Sequence, residues 1–263
     1  MARWHLLHDR HPRSAAENMA IDEYLFNICH RERRGFLRLY RWLRPTFSFG
    51  FSQKAEKAID REFITAQGCD YVRRITGGKT VLHDNEITYA LVSSEETFYR
   101  DHDLFQSYTL IARVLVEALR RLGVDAALSR GSSGELSRSH NPCFSFPTPS
   151  EIEVGGRKII GSAQKRDKQA LLQHGSIPLT MDYELYARGT RSRSEAIAAA
   201  MTTLKDAAGG AGETGDELCA ALIGAFGDFV KSDLSAFDLG AEAGADLEPL
   251  YRKYASAEWN LAV

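Results

Sequence analysis

The segment from Arg73 to Tyr89, which reads RRITGGKTVLHDNEITY, places the strongest constraint on how this chain can fold. Two arginines are followed by Thr76-Gly77-Gly78 and then by a β-branched run that ends at His83. Adjacent glycines allow positive φ and a close approach of the backbone to a ligand, because neither carries a Cβ. The arginines bring permanently charged, forked donors to the same place. Spacing alone leaves two interpretations: a ligand-binding turn, or an ordinary hairpin with a Gly-Gly turn and solvated arginines.

Hydrophobic periodicity predicts an α+β domain with a mainly antiparallel sheet flanked by helices. A capping box at Ser14 and Glu17 opens a helix that runs to about His30, and a strongly amphipathic helix over 104–122 ends at Gly123. Between the helices, the alternating run 86–92 predicts a strand with one buried face. Gly155-Gly156 predicts a two-residue hairpin turn, and further strands are expected over 3–8, 36–42, 46–51, 70–75 and 170–179.

Length and charge exclude several classes of function. The chain has 263 residues and a net charge of -2, so it can bury a substantial core and has no general attraction to nucleic acid. No apolar run approaches the roughly 20 residues that span a bilayer. The N-terminal sequence lacks the apolar core of a signal peptide and enters a strand at once. We therefore expect a cytoplasmic protein without a membrane or nucleic-acid partner.

Four cysteines are widely spaced, so neither a disulfide framework nor a zinc site is expected. Cys29 and Cys219 fall in helical patterns and are most simply small core residues, and Cys69 follows a glycine at a predicted helix end. Cys143 differs, because it lies between Pro142 and Phe144 after the polar, glycine- and serine-rich segment 131–140. Only its neighbourhood can make such a cysteine reactive.

A second segment, 141–179, combines this cysteine with Gly155-Gly-Arg-Lys-Ile-Ile-Gly-Ser-Ala-Gln164 and with Gln173-His174-Gly175. Together the two segments resemble the lipoate/octanoate branch of the biotin and lipoate protein ligase family. Within that branch the chain is most similar to the cysteine-dependent octanoyltransferases. The resemblance extends from Glu17 to Asn260. It implies a class II aminoacyl-tRNA synthetase-like fold, with one catalytic domain over 1–263 and a C-terminal helical extension from about residue 213.

Acyl transfer needs a nucleophile, donors for the oxyanion and an apolar slot for the chain. The resemblance assigns the nucleophile to Cys143 and assistance of the thiolate or oxyanion to Lys158. From spacing alone, Lys158 would be an exposed strand lysine. The residues that the resemblance places around the substrate are Arg73, Thr76, Gly77, Gly78, His83, Gly161, Ser162, Ala163, His174 and Gly175. It implies no metal and no cofactor.

The partners implied are octanoyl-acyl carrier protein as donor and a lipoyl domain, that of the glycine cleavage H protein, as acceptor. Three alternatives remain: an ATP-dependent lipoate ligase with a separate accessory subunit, an amidotransferase that takes octanoate from the H protein, and a non-catalytic acyl- or lipoyl-domain-binding protein. Lys79 replaces the third glycine usual in the ligases, and the residues after Glu217 are too few for their accessory domain. Both features favour a transferase, and no GxxxxGK[ST] phosphate loop is present.

Overall fold

The computed structural model describes residues 3–129, 151–210 and 215–262. In chain order the strands are β1 (Arg3–His8), β2 (Arg34–Tyr40), β3 (Thr46–Phe49), β4 (Asp70–Arg73), β5 (Val81–His83), β6 (Glu86–Ser94), β7 (Ala127–Leu128), β8 (Ile152–Val154), β9 (Arg157–Arg166), β10 (Ala170–Pro178) and β11 (Ser235–Ala236). The helices are α1 (Ala15–Arg31), α2 (Ala55–Ala58), α3 (Arg61–Ala66), α4 (Leu104–Arg121), α5 (Tyr183–Gly189), α6 (Ser194–Ala200), α7 (Leu204–Ala207), α8 (Gly215–Val230), α9 (Leu239–Ala243), α10 (Leu247–Ala255) and α11 (Ala257–Leu261).

Two sheets organise the described residues. The large sheet has the order β11-β1-β2-β6-β10-β9-β8-β7, and its neighbours from β2 to β7 are antiparallel. The pairs of β1 with β2 and with β11 are parallel. The small sheet has the order β4-β3-β5. The predicted α+β class with a mainly antiparallel sheet is confirmed.

The Gly-Gly turn at 77–78 does not join a hairpin, so the hairpin interpretation of the opening segment is wrong. Strand β3 lies between β4 and β5, parallel to the first and antiparallel to the second. All four residues of β3 are buried, and this strand separates β4 from β5, which a hairpin would have paired directly. The turn must therefore pass from one edge of the small sheet to the other.

Strand β6 also departs from its prediction of one buried face, because all nine of its residues are buried. Ile87, Tyr89 and Leu91 face a core formed with α4 and α8, whereas Ala90 and Val92 face a second core formed with α1. A central strand covered by helices on both faces has no solvent side. Its polar residues on the α1 face are consequently buried as well.

Several local signals are confirmed. Ser14 caps α1 and forms the capping box with Glu17, and Gly123 follows α4 at φ +75°. Gly155 and Gly156 have φ of 56° and 75° in the turn between β8 and β9, as a primed two-residue turn requires. The residues from 55 to 66 form the two short helices α2 and α3, and Asp60 caps the second.

The C-terminal segment packs into the rest of the fold. Helix α8 supplies Leu222 and Phe226 to the core beneath α4, and α10 supplies Tyr254 to the core around α1. Strand β11 extends the large sheet at β1. The division into a catalytic domain and a helical extension stays a prediction. No helix within the described ranges is long and apolar enough to cross a membrane.

Candidate active site

A cavity of about 320 Å³ of empty space, including its open mouth, lies between the large and the small sheet. Its walls come from both sheets, from α1 and from the residues just after β2 and β4. The lining residues are Met19, Tyr40, Trp42, Ser48, Arg74, Val81, His83, Thr88, Gly161, Ser162, Ala163, His174, Gly175 and Ser176. The predicted site residues His83, Gly161, Ser162, Ala163, His174 and Gly175 are therefore brought together.

The cavity runs across four neighbouring strands of the large sheet, from β9 through β10 and β6 to β2. Exposure of its lining residues falls along this path. Ala163 on β9 is half-buried, whereas Thr88 on β6 and Tyr40 on β2 are 2% and 1% exposed. Within the described part of the chain, the cavity is therefore more accessible at β9 and closed towards β2.

His174 lies at the centre of a buried chain of hydrogen bonds on β10. Its Nε2 lies 2.7 Å from Thr76 Oγ1, and its Nδ1 lies 2.9 Å from Asp22 Oδ2 on α1. Arg38 donates to the other Asp22 oxygen at 2.7 Å and to Asp9 Oδ2 at 2.9 Å. Tyr40 adds a bond from its hydroxyl to Asp22 at 3.0 Å. Thr76, a predicted site residue, therefore does not line the cavity itself but contacts a residue that does, His174.

Burial and the neighbouring charges in this hydrogen-bond chain keep His174 neutral. Burial lowers the pKa of His174, and the carboxylate of Asp22 offsets that effect only in part. Burial would raise the pKa of Asp22, but the charge of Arg38 and the hydrogen bond from His174 lower it overall. Asp22 is thus ionised and accepts from Nδ1–H, and Nε2 accepts the proton of the Thr76 hydroxyl.

His83 lies at the centre of a similar chain of hydrogen bonds on the other side of the cavity. Its Nε2 lies 2.7 Å from Ser48 Oγ, and its Nδ1 lies 2.8 Å from Glu86 Oε1. Glu86 is 2% exposed and also accepts hydrogen bonds from the hydroxyls of Thr88 and Ser176. Its carboxylate therefore connects β5 of the small sheet to β6 and β10 of the large one.

Trp42 forms part of the closed end of the cavity and is held on two sides. Its ring stacks on His83 with centroids 4.2 Å apart and an interplanar angle of 20°. Its Nε1–H donates to Thr88 Oγ1 at 2.8 Å. Both Trp42 and His83 are 6% exposed. The indole is consequently a fixed wall.

The glycine turn packs against Gly50, which follows β3. A Cβ at Gly50 would lie 2.2 Å from the carbonyl oxygen of Gly78, so no larger residue fits there. Gly78 has φ +86° and lies against Arg74 and Ala163. Gly77 has open space around its Cα. The sequence predicted positive φ and a close backbone approach at Gly77 and Gly78. In the structure Gly78 has the positive φ, and Gly50 makes the close approach.

The paired arginines point to different places. Arg74 lines the cavity and donates to the carbonyl oxygens of Ser48, Gly77 and Lys79 at 2.7–2.9 Å. Arg73, the predicted substrate contact, is not among the residues that line it. Its guanidinium donates instead to carbonyls of the turn at 51–53 and of the C-terminal residues 259–262. Arg73 therefore ties the C-terminal segment to that turn.

Lys158 is 1% exposed, so the alternative of an exposed strand lysine is wrong. Its Nζ lies 2.7 Å from Glu151 Oε1, and the residue does not line the cavity. Burial of a lysine requires a partner for its charge, and Glu151 supplies one. The backbone carbonyl oxygen of Glu151 also accepts a hydrogen bond from Ser129 N at 2.7 Å. This bond joins the two described segments on either side of 130–150. Cys143 lies outside the described residues.

Sequence reasoning missed Met19, Tyr40, Trp42, Ser48, Arg74, Val81, Thr88 and Ser176 as lining residues, and Asp22 and Glu86 as partners of the histidines. The alternation of β6 and β10 offered a usable signal. Thr88 and Ser176 occupy positions that alternate with apolar neighbours, and a buried polar residue on such a strand needs a partner. No short-range signal pointed to Asp22, which is 152 residues from His174.

Comparison with known proteins agrees with this architecture. The sequence model of the lipoyl protein ligase A/B catalytic domain matches residues 14–227. Octanoyltransferase LipM of Kyrpidia tusciae is 38% identical over 274 aligned residues, covering 99% of both chains. Octanoyltransferase LipM of Clostridioides difficile is 32% identical over 274 aligned residues, again covering 99% of both.

Among solved structures, protein Ta0514 of T. acidophilum with bound lipoic acid superposes with a TM-score of 0.79. It is 23% identical, and the match covers 99% of this chain and 100% of that one, so it bears on the fold alone. The predicted biotin/lipoate ligase-like fold is confirmed. The chain belongs to the family of lipoyl protein ligase A/B catalytic domains.

Proposed function

We propose that this enzyme, an octanoyltransferase of lipoate biosynthesis, moves an octanoyl group from acyl carrier protein to a lysine of a lipoyl domain through a thioester on Cys143. The glycine cleavage H protein is the proposed acceptor. Support comes from the octanoyltransferase relatives that match the whole chain and from the cavity between the two sheets. The cavity is the single observation that carries the proposal. Its walls of Met19, Trp42, Val81 and Ala163 suit an unbranched apolar chain.

The reaction proceeds in two balanced steps. The thiolate of Cys143 attacks the carbonyl carbon of the octanoyl thioester, the bond from that carbon to the carrier sulfur breaks, and the carrier leaves as a thiol after taking up a proton. The amine of the acceptor lysine then attacks the new thioester. An amide forms, the carbon–sulfur bond to Cys143 breaks, and one proton leaves the attacking nitrogen.

Lys158 is the proposed second catalytic residue, with Glu151 fixing the position of its ammonium group. A cation close to a thiol favours the thiolate, and a cation close to a tetrahedral intermediate stabilises the oxyanion. Thr76, Gly77, Gly78, His83, Gly161, Ser162, Ala163, His174 and Gly175 are proposed to surround the acyl group. Arg73 is proposed to act on this site only by holding the turn that carries Phe51.

The test is intact-mass analysis after mixing the protein with octanoyl-acyl carrier protein without ATP. We expect a hydroxylamine-labile octanoyl adduct that is absent from Cys143→Ala and retained by Cys219→Ala. Cys219 is a matched control, because burial raises the pKa of its thiol to about 11 and keeps it protonated at neutral pH. Addition of apo-H protein should then discharge the adduct and leave the acceptor octanoylated.

Other results would contradict the proposal in distinguishable ways. Transfer that requires ATP and free octanoate would identify a ligase. Adduct formation from octanoyl-H protein but not from the acyl carrier protein thioester would identify an amidotransferase. Octanoate binding without turnover under all three conditions would identify a binding protein. Full activity of Cys143→Ala would exclude covalent catalysis at that residue.

A further inference from the structure

Glu86 is a buried carboxylate that the proposed reaction does not use. Among the described residues it is not one of those that line the cavity. It nevertheless bonds three residues that do: His83, Thr88 and Ser176. Burying a carboxyl group in a core costs free energy unless its oxygens are hydrogen-bonded, and both Glu86 oxygens accept such bonds.

The direction of the hydrogen bonds around Glu86 can be derived from the donors available. The Trp42 indole N–H can only donate, so Thr88 Oγ1 accepts from it and sends its own proton to Glu86. Likewise, Arg74 Nη1 can only donate to Ser48 Oγ at 3.1 Å, which directs the Ser48 proton to His83 Nε2. His83 Nδ1–H then donates to Glu86. Two ordered chains therefore end on the same carboxylate.

Both chains converge on Trp42. Thr88 holds the edge of the indole through Nε1, and His83 holds its face by stacking. Since Glu86 fixes the hydroxyl of Thr88 and the ring orientation of His83, it fixes the two groups that hold Trp42. Without the Glu86 carboxylate, the Trp42 indole would keep its packing but lose the fixed orientation of the two groups that hold it.

The position of Trp42 in the cavity makes such a shift consequential. Adjacent strands lie about 4.8 Å apart, so the path from β9 across β10 and β6 to β2 covers roughly 14 Å. An extended chain advances about 1.2 Å per bond, so eight carbons cover roughly 9 Å and end beneath β6. An octanoyl chain that lay along this path from β9 would therefore end at Thr88 and Trp42, which line the cavity there.

We propose that Glu86 is a positioning residue for acyl-chain length: through Thr88 and His83 it immobilises the closed end of the cavity, so that octanoyl thioesters are accepted and longer ones rejected. This inference rests on the proposed octanoyl transfer and adds the determinant of its substrate selectivity. One surplus methylene in a rigid apolar pocket alters discrimination by about 10- to 200-fold.

The experiment compares octanoyl, decanoyl and dodecanoyl thioesters of acyl carrier protein, with kcat/KM for acyl-enzyme formation measured for each. Glu86→Leu removes the shared acceptor, and Thr88→Val removes the bond to the indole while keeping the shape of the side chain. We expect both to raise the decanoyl-to-octanoyl ratio of kcat/KM about tenfold. Glu86→Gln keeps acceptor capacity and should retain a ratio within about threefold of the wild-type value.

Phe226→Leu is the control for general destabilisation, because Phe226 is buried in the other core, beneath α4. It should lower the unfolding midpoint without changing the ratio. If Glu86→Leu fails to fold, Thr88→Val carries the test. Unchanged ratios in the folded variants would overturn the inference. Absence of acyl-enzyme from any thioester in the wild type would instead overturn the proposed function.

Discussion

The two histidines beside the cavity have the same bonding pattern in different electrostatic surroundings. In each case Nε2 lies 2.7 Å from a hydroxyl, and Nδ1 lies 2.8 or 2.9 Å from a carboxylate. The carboxylate behind His174, Asp22, is paired with Arg38 and accepts from a tyrosine. The carboxylate behind His83, Glu86, accepts from two hydroxyls.

The same hydrogen-bonding geometry therefore serves two structural purposes in this molecule. The His174 side is a charge network that fixes α1 on the large sheet, because Asp22 lies on α1 and Arg38 on β2. The His83 side is a hydroxyl network that joins the two sheets at the closed end of the cavity. Removing a charged residue should therefore destabilise the His174 side most. Removing a hydrogen-bond acceptor should have its main effect on the His83 side.

The largest effect is expected from Arg38→Met. Arg38 is fully buried between Asp9 and Asp22, so its removal leaves Asp22 without a cation and Asp9 with Arg13 alone. This should cost about 3–5 kcal/mol of unfolding free energy. Urea unfolding followed by circular dichroism at pH 7.5 measures it. A second change, Asp22→Asn, should recover part of the loss in the double variant because it removes one unpaired charge. An Arg38→Met variant of wild-type stability would show that the network carries no such charge balance.

This network marks the limit of what the sequence could predict. The capping box of Ser14 and Glu17 and the turn at Gly155-Gly156 are encoded within a few residues, and both are confirmed. Arg38, Asp22 and His174 are separated by 16 and 152 residues, so only the assembled fold shows that they meet. Periodicity likewise predicted β3 as a strand without revealing that it enters between β4 and β5. The family resemblance supplied His83 and His174 as site residues, but neither carboxylate behind them.

Removing the hydroxyl group at the end of either hydrogen-bond chain should have an intermediate effect on the unfolding free energy. Thr76→Val and Ser48→Ala each leave a buried Nε2 lone pair without its donor, which costs about 1–3 kcal/mol of unfolding free energy. Because Ser48 also accepts from Arg74, its replacement removes two bonds and should cost more than Thr76→Val. Equilibrium unfolding of both variants decides the order. The reverse order would show that the Arg74 bond to Ser48 contributes nothing measurable.

The smallest effect is the contribution of His174 to the pH dependence of stability. Burial holds the pKa of His174 below 6.5, so the unfolded chain binds a proton that the folded chain does not as the pH falls through 6.5. The free energy of unfolding should therefore decrease with falling pH, by at most about 1.4 kcal/mol per pH unit from this group. Asp22 adds nothing in that window, because its folded pKa is lowered from 3.8 and its contribution is lost only below that value.

Unfolding free energies at several pH values between 7.5 and 5.5 test this sign. His174→Gln should reduce the dependence relative to the wild type. The remainder is expected from His5 and His8, whose pKa values burial also lowers. A wild-type slope that survives His174→Gln would assign the proton to another group. It would also show that burial does not hold the pKa of His174 below its value in the unfolded chain.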